Sequence, residues 1–273
     1  MSIKLIGLDL DGTVLTSDKK ITDHTKNVLI KAISQGIVIV PVTGRPLSGI
    51  PEEFLSIPGI RYAITANGAT TYDLQERRIL RKHHIARETA SQILNLTLDH
   101  DIIREIFIKG YGYEEHHSYD LLLKHLGDSP IISYIKATRK PIDNLDDFLS
   151  NQTANVEGIS IMCRNMKERD VIYNRLQKFP DIRIVLPSPG DLEINHLYAD
   201  KGQALLDLGT HLGISKKSIM AVGDSDNDFG LLSSVGFPVA MDNASDALKN
   251  ISAFITRDNQ HDGVASAIES FAL

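Results

Sequence analysis

The first third of the chain alternates short apolar runs with a segment of helical periodicity. Residues 3–8 and 37–42 are almost continuously apolar, a pattern that predicts strands buried on both faces. Residues 22–35 between them repeat apolar side chains at helical spacing, with Thr22 as a candidate N-cap. A third strand is predicted at 62–65. This order of strands and helices predicts a parallel sheet that is covered by helices.

The pattern changes between residues 83 and 187, where the apolar periodicity is weaker and motifs that carry chemistry are absent. The predicted helices of this segment are 87–98, 119–126 and 168–179, and its predicted strands are 105–109, 158–163 and 182–186. We therefore expect a second, smaller α/β domain that is inserted into the first.

From residue 188 onward the stronger pattern returns. It predicts helices at 200–211 and 264–271 and strands at 218–222, 237–240 and 253–255. The fold class predicted from the whole chain is α/β, with a Rossmann-like, doubly wound parallel sheet as its core. Residues 1–82 and 188–273 are expected to form this core, and residues 83–187 the inserted domain.

Composition narrows the classes of partner. The chain has 273 residues, of which 42% are hydrophobic, and a formal net charge of −6. A core of ordinary size is therefore expected. The acidic balance argues against a nucleic-acid or anionic membrane surface, because such surfaces use an excess of Lys and Arg. A small anionic substrate is compatible with it, since a bound cation can reverse the local potential.

Cysteine usage and the N-terminus bear on the compartment. Cys163 is the only cysteine, which excludes an internal disulfide and a cysteine-based zinc site, and we expect it to pack as a small apolar residue. The chain reaches Asp9 too early for the apolar region of a signal peptide. No apolar run approaches the ~18 residues that span a bilayer. We expect a cytoplasmic protein that is a monomer or a weak homo-oligomer.

Polar side chains collect where predicted strands end. Asp9 and Asp11 follow the first strand, Thr43 follows the second, residues 224–228 follow a later one, and Lys201 starts a helix. Loops at the carboxyl ends of neighbouring parallel strands line one crevice, where ligands bind in open α/β sheets. The sequence therefore predicts that these side chains converge.

The residue types suit phosphoryl chemistry with magnesium. Mg²⁺ prefers one or two carboxylates together with water and phosphate oxygens, and Asp9 and Asp224 can supply the carboxylates. The motifs of serine hydrolases, P-loop enzymes and zinc proteases are absent from the sequence. Residues 9–13 taken alone are equally compatible with an ordinary strand-to-loop turn.

Four motifs in order carry a family resemblance. They are DLDGT at 9–13, VTGR at 42–45, ADKG at 199–202 and GDSDND at 223–228, with further matches in ITANGA at 64–69, LEIN at 192–195, VAMDNA at 239–244 and TRDNQHDGV at 256–264. In this combination the chain resembles the haloacid dehalogenase superfamily, and within it the Cof-type sugar-phosphate phosphatases. Both ends of the chain carry the resemblance, whereas the middle matches only in length and coarse pattern.

The resemblance implies a catalytic mechanism. Asp9 would be the nucleophile that forms an aspartyl-phosphate, and Asp11 would be the general acid and base. Mg²⁺ would be held by the side chains of Asp9 and Asp224 and by the backbone carbonyl of Asp11. Asp228 would either bind the metal directly or support it from outside, by orienting Lys201.

The resemblance also implies how the substrate is bound. The groups expected at the phosphate are the Thr43 hydroxyl, the amides of Gly44 and Leu10, the Lys201 ammonium and the Asn227 side chain. The inserted segment 83–187 would be a cap domain, which excludes water and selects the substrate.

Three functions were weighed against each other. The leading prediction is a Mg²⁺-dependent phosphatase that hydrolyses small phosphorylated metabolites such as sugar phosphates. The second is a phosphotransferase or phosphomutase, in which a hydroxyl group takes the phosphoryl group from Asp9. The third is a non-catalytic module that senses a phosphorylated metabolite, which the presence of a second carboxylate at Asp11 disfavours.

Several other charged residues are expected to have no catalytic role. Arg139-Lys140 and Lys216-Lys217 are predicted to be exposed, and Asp226 to be a solvated turn residue. The pairs His83-His84 and His116-His117 lack the spacing of metal ligands and are expected to be structural or solvated. His117 and Tyr119 are retained as candidates for substrate contact from the inserted segment.

Overall fold

The structure is a computed structural model that describes residues 2–98, 102–118, 120–122 and 130–273. The strands are β1 Leu5–Leu8, β2 Val38–Pro41, β3 Tyr62–Thr65, β4 Thr70–Asp73, β5 Arg78–Lys82, β6 Ile103–Ile108, β7 Tyr111–Glu115, β8 Arg139–Ile142, β9 Gly158–Met162, β10 Ile182–Val185, β11 Asp191–His196, β12 Ile219–Gly223, β13 Phe237–Ala240 and β14 Phe254–Ile255. The helices are α1 Asp23–Ser34, α2 Glu52–Leu55, α3 Arg87–Asn95, α4 Pro130–Thr138, α5 Leu145–Ser150, α6 Met166–Leu176, α7 Lys201–His211, α8 Phe229–Ser234, α9 Asp246–Ile251 and α10 Gly263–Phe271.

A parallel sheet is built from strands at both ends of the chain. Its order is β14-β13-β12-β1-β2, and every neighbouring pair is parallel. β1 is buried along its whole length, as its continuous apolar sequence predicts. Gly7 allows α7 to pack closely, because a Cβ atom there would lie 2.5 Å from Cδ2 of Leu205. The predicted α/β fold with a parallel core sheet is confirmed.

The strand order of the parallel sheet reverses between β1 and β12. From β1 the chain continues to β2 on one side, and it returns to β12 on the other side only after two hundred residues. Such a reversal of strand order opens a crevice at the carboxyl ends of the strands. Asp9 and Asp224 leave the two strands, β1 and β12, that flank this point.

A small antiparallel sheet follows the second strand. β3, predicted at 62–65, pairs with β4, and β4 pairs with β5. An isolated parallel bridge joins Val42, just after β2, to Ile64 of β3. β4 and β5 were not predicted, because their polar and charged residues show no continuous apolar run.

The described chain divides into two compact units. The first consists of residues 1–44, 50–82 and 200–273, and the second of 45–49 and 83–199. The predicted domains, 1–82 with 188–273 and 83–187, place residues 188–199 differently. In the structure β11 pairs with β9 and β10 of the second unit, so residues 191–196 of this stretch belong to its sheet.

The second unit contains a mostly antiparallel sheet in the order β10-β11-β9-β6-β7-β8. One face packs on α3, α5 and α6 through an apolar cluster that includes Ile106, Ile159 and Ile194. On the other face Ile103 packs against Ile132 of α4. The predicted helix at 119–126 falls largely outside the described residues, as does the candidate contact residue Tyr119.

The expectation that Arg139 is exposed is wrong. Its side chain is only 6% exposed and its Nη2 donates to Oε2 of Glu105 at 3.0 Å. Glu105 lies on a neighbouring part of the same sheet, a proximity that the sequence does not reveal. Lys140, Lys216 and Lys217 are exposed, as expected.

The other minor expectations concern cysteine, histidine and membrane segments. Cys163 is buried within the apolar cluster, and burial raises the pKa of its thiol to about 12. His83 stacks on His196, with ring centroids 5.8 Å apart, whereas His116 and His117 are exposed. Among the described residues, no helix is both long and apolar enough to cross a bilayer.

Glu114 on β7 is a buried carboxyl group that lies opposite Glu105 across the β6–β7 pair. Among the described residues neither of its oxygens has a hydrogen-bond partner. Burial, followed by the negative charge of Glu105, raises the pKa of Glu114 to about 8, against a smaller opposing effect of Arg139. Because the folded state favours the protonated form, ionisation of this group opposes folding.

We predict that Glu114→Gln flattens the pH dependence of stability. The pKa of Glu114 is higher in the folded than in the unfolded state, so its contribution to the unfolding free energy of the wild type falls as pH rises from about 4.5 to about 8. The variant should lose this fall, which amounts to about 1 kcal/mol per pH unit. Urea unfolding from pH 5 to 8 measures it, with the exposed Asp143→Asn as control. Parallel pH curves for wild type and Glu114→Gln would contradict the prediction.

Candidate active site

The loop after β1 approaches the loop after β12 very closely. Gly12 has a left-handed φ of +82°, and a Cβ atom at this position would lie 2.3 Å from Oδ2 of Asp224. Only glycine combines this backbone conformation with this spacing. The Thr13 hydroxyl then donates to Oδ1 of Asp224 at 2.7 Å. The two loops are thereby joined.

Lys201 lies between two carboxylates at the beginning of α7. Its Nζ is 2.7 Å from Oδ1 of Asp9 and 2.7 Å from Oδ1 of Asp228, and its side chain is 1% exposed. Burial by itself would lower the pKa of Lys201, but the charges of Asp228 and Asp9 outweigh it and raise that pKa above its usual range. Lys201 is therefore a buried ammonium ion. Asp200, the N-cap of α7, accepts the Gln203 N–H and fixes the start of the helix.

Both oxygens of Asp228 have partners. Oδ1 accepts from Lys201, and Oδ2 accepts the backbone N–H groups of Asp224 and Ser225 at 3.0 and 3.3 Å. The side chain is fully buried. Asp228 consequently holds both the ammonium group and the backbone of the loop after β12.

The acidic groups of the site fit a divalent cation. Asp9, Asp224 and Asp228 offer ligand oxygens within 4.8 Å of one another. Burial, followed by the charge of Asp228, raises the pKa of Asp9 well above its usual range, although Lys201 opposes this. Burial also raises the pKa of Asp224 to about 6, against the hydrogen bond from Thr13. Lys201 supplies one positive charge beside three carboxyl groups, so the cluster could hold a metal ion.

Asp11 lies further from the buried cluster and is partly exposed. Its Oδ1 accepts from Nζ of Lys19 at 2.7 Å, in a pair whose side chains are 40% and 30% exposed. Lys19 is in the left-handed region, with φ of 61°. Nothing in the sequence singled out Lys19, because its contact with Asp11 depends on the turn between them.

The predicted phosphate-binding residues occupy several places around the same sheet edge. Thr43 is buried just beyond β2, and its backbone N–H donates to the Ile64 carbonyl at 3.0 Å. Gly44 follows it, and Leu10 stands between Asp9 and Asp11. The Asn227 side chain accepts from the Ser225 hydroxyl at 2.7 Å. Asp226, expected to be a solvated turn residue, is exposed and accepts from Ser245.

Besides the contact of Lys19 with Asp11, two further contacts of the site are not predicted by the sequence. The first is the hydrogen bond from Thr13 to Asp224. The second is made by Asn243, whose Nδ2 donates to the Gly12 carbonyl at 2.9 Å. Both residues lie within the quoted motifs DLDGT and VAMDNA, so the motifs were a signal for them, although spacing alone assigns them no partner.

Comparison with known proteins agrees with this geometry. The family model of the haloacid dehalogenase-like hydrolases matches residues 6–268. The chain is 29% identical over 279 residues to the 5-amino-6-(5-phospho-D-ribitylamino)uracil phosphatase YcsE of Bacillus subtilis (strain 168), covering 100% of this chain and 97% of that protein.

Two solved structures show the same fold. A haloacid dehalogenase-like hydrolase from B. subtilis has a TM-score of 0.87 and 27% identity, covering 98% of this chain and 99% of that one. The subclass IIB sugar phosphatase BT4131 has a TM-score of 0.82 and 20% identity, covering 98% of both chains. The predicted resemblance is confirmed, and so is the predicted enzyme class, a phosphatase of this hydrolase family.

We predict that Mg²⁺ stabilises the protein more at pH 7 than at pH 5. Without metal, the raised pKa of Asp224 means that its contribution to stability falls as pH rises through about 6. A cation binds the ionised carboxylates and competes with protons, so its effect should grow over the same range. The thermal midpoint with and without saturating MgCl₂ should differ by several degrees at pH 7, at about 2–4 °C per kcal/mol.

Asp224→Asn serves as the comparison for this experiment. Because the amide cannot supply the negative charge, the variant should lose most of the Mg²⁺ effect at pH 7. A Mg²⁺ effect of equal size at both pH values, or one that Asp224→Asn retains, would contradict the assignment of Asp224 to the metal site.

Proposed function

The chain belongs to the haloacid dehalogenase-like hydrolase family, and on that premise we propose that it hydrolyses small phosphorylated metabolites with Mg²⁺, through a phosphorylated Asp9. The observation that carries the proposal is the placement of the Asp9 carboxylate, which is buried beyond β1, held 2.7 Å from Lys201 and clustered with Asp224. A carboxylate so confined suits nucleophilic attack rather than solvation.

Asp9 would attack the phosphorus atom of a phosphate monoester. An oxygen of Asp9 forms a bond to phosphorus, and the bond from phosphorus to the leaving alkoxide breaks. Water then attacks phosphorus, which releases inorganic phosphate and restores the Asp9 carboxylate. Lys201 holds Oδ1 of Asp9, so the side chain is oriented before the substrate arrives.

Asp11 would move protons in both steps. It donates a proton to the leaving oxygen in the first step and takes one from the attacking water in the second. Its partial exposure and its position two residues after Asp9 support this role. Lys19 contacts the same carboxyl group at 2.7 Å and limits where it points.

The phosphate would be bound by groups from three loops and from the start of α7. They are the Thr43 hydroxyl, the backbone amides of Gly44 and Leu10, the Lys201 ammonium and the Asn227 side chain. In support, β1 and β2 are paired with Leu8 opposite Pro41, so the loops that follow them begin side by side. Donors of this kind stabilise the charge that spreads over the transferring phosphoryl group.

Mg²⁺ would be held by the side chains of Asp9 and Asp224 and by the Asp11 carbonyl, a hard set of oxygen ligands. When bound, it would offset the negative charge that the phosphate shares with Asp9. For Asp228 we propose the orienting role rather than direct ligation, because Lys201 and two backbone amides already engage its oxygens.

The second unit would select the substrate. We propose that segment 83–187, together with β11, acts as the substrate-specificity domain and residues 1–82 and 200–273 as the catalytic domain. The relative YcsE is named for a phosphate ester of a ribitylamino-uracil, and BT4131 for sugar phosphates. Polyol and sugar phosphates therefore belong at the head of a substrate screen.

We predict that the protein releases inorganic phosphate from at least one such ester in the presence of Mg²⁺. Asp9→Asn should reduce kcat by about 10⁴-fold or more, since the amide is a poor nucleophile. Phosphate release across a panel of phosphorylated metabolites measures this. Asp18→Asn, an exposed carboxylate in the same loop, should behave as wild type. The mechanism is refuted if wild type is inactive on the whole panel or Asp9→Asn matches it, and transfer to a hydroxyl acceptor would indicate a phosphotransferase.

We predict that Asp11→Asn traps the covalent intermediate. An aryl phosphate has a good leaving group, so its first step depends little on a proton donor, whereas attack by water on phosphorylated Asp9 still needs a base. The variant should release about one equivalent of phenol per protein and gain the mass of one phosphoryl group, on Asp9. Intact-protein and peptide mass spectrometry detect the adduct. Steady turnover at the wild-type rate, without an adduct, would contradict the role of Asp11.

A further inference from the structure

Two asparagines outside the proposed catalytic groups reach the loop that carries the nucleophile. Asn243 follows β13 and Asn259 follows β14. Both strands are parallel to β1 in the same sheet, so both residues leave its carboxyl edge. They lie in the motifs VAMDNA and TRDNQHDGV, to which the proposed mechanism gives no function.

The Asn243 amide bridges the two loops of the site. Its Nδ2 donates to the Gly12 carbonyl at 2.9 Å and to Oδ2 of Asp224 at 3.4 Å. A side-chain amide nitrogen carries two hydrogens, so both contacts can exist together. Since the Thr13 hydroxyl binds Oδ1 of Asp224, the two oxygens of this carboxylate are approached by different donors. The rotation of the carboxylate is thereby fixed.

Asn259 fixes the orientation of Asn243. The backbone N–H of Asn259 donates to Oδ1 of Asn243 at 3.3 Å, and its Nδ2 donates to the Leu15 carbonyl at 2.8 Å. With its oxygen facing Asn259, the Asn243 amide presents its nitrogen to Gly12. The same segment reaches the loop once more through Gln260, whose Oε1 accepts the Ser17 N–H at 3.1 Å.

These contacts act at the turn of the loop, at Gly12. Gly12 has no side chain, and its φ of +82° is a conformation that glycine leaves easily. Gly12 directly follows Asp11, whose carbonyl the proposed metal site uses. A donor on Gly12 therefore restrains the backbone between the nucleophile and Thr13.

We propose that Asn243 is a positioning residue for the metal carboxylate Asp224 and for the loop 9–13, and that the Asn259 side chain, by anchoring its own backbone N–H at Leu15, acts through Asn243. The inference rests on the proposed metal site. Removing the Asn243 amide leaves the charged groups in place but frees their geometry. Such outer partners commonly change metal affinity or activity by about 10–100-fold. We expect Asn243→Ala to weaken divalent metal binding about 10-fold and to lower kcat about 10-fold, with a much smaller change in KM.

Binding of Mn²⁺ to the purified full-length protein tests the proposal without any substrate. The electron paramagnetic resonance signal of free Mn²⁺ gives the dissociation constant for wild type, Asn243→Ala, Asn259→Ala and the double variant. Asn250→Ala is the matched control, because Asn250 is an exposed asparagine at the end of the nearby helix α9. It should bind Mn²⁺ as wild type does, and thermal midpoints establish that each variant is folded.

The expected result is a loss for Asn243→Ala, a smaller loss for Asn259→Ala, and a double variant no weaker than Asn243→Ala alone. Wild-type Mn²⁺ affinity and kcat in a folded Asn243→Ala would overturn the proposal. Independent losses that multiply in the double variant would overturn the role of Asn259. If Asn243→Ala does not fold, Asn243→Leu decides, because it removes the amide donor at nearly the same side-chain size, and unchanged affinity there overturns the proposal.

Failure of the proposed function gives a different result. If the wild type binds Mn²⁺ but hydrolyses no phosphate ester, the phosphatase assignment is refuted. The effect of Asn243→Ala on Mn²⁺ affinity still tests the positioning role independently. Steady-state kinetics provide a second measurement. Displacement of Asp224 and the loop 9–13 lowers kcat, whereas loss of substrate contacts raises KM.

Discussion

The buried ammonium of Lys201 is the constraint on which the rest of the site depends. An unpaired charge in a protein interior costs several kcal/mol, and it is tolerated only with close partners and good hydrogen bonds. Lys201 has Asp9 and Asp228 at 2.7 Å each, and Asp228 is in turn bound by two backbone amides. Loss of any member would leave a buried charge without compensation. The geometry of the nucleophile is therefore tied to the stability of the fold.

The parallel sheet is what makes this arrangement available. Asp9 and Lys201 are separated by 192 residues in the sequence and joined by a hydrogen bond. They meet because β1 pairs with β12, with Leu8 opposite Val222, and because α7 packs closely over Gly7 of β1. Residues 83–199 of the second unit lie between β5 and α7 in the sequence, and β1 still pairs with β12. A chain with this topology can change the inserted segment while the chemistry of the strand ends is kept.

The sequence predicted correctly those elements whose residue pattern is typical of a single kind of structure. Continuous apolar runs identified β1, β2 and β12, and the acidic cluster is formed by residues that follow β1 and β12. Strands with charged residues, such as β7 and β8, were not predicted, because the partners of those charged residues lie on other strands of the sheet. Arg139 was misjudged for the same reason, since its ion pair with Glu105 is visible only in three dimensions. The partners of Asn243 likewise depend on how two loops meet.

The balance of charge at the strand ends explains why a cation belongs there. Asp9, Asp224 and Asp228 carry three negative charges when ionised, and Lys201 supplies one positive charge to them. The pKa values of Asp9 and Asp224 are raised, first by burial and then by neighbouring carboxylates that include Asp228. A phosphate would add further negative charge to the same place and would be repelled. A divalent cation removes both difficulties at once, since it ionises the carboxylates and attracts the phosphate. Without a metal ion, the acidic cluster would repel a phosphorylated substrate. With a metal ion bound, the same cluster would allow the protein to bind that substrate.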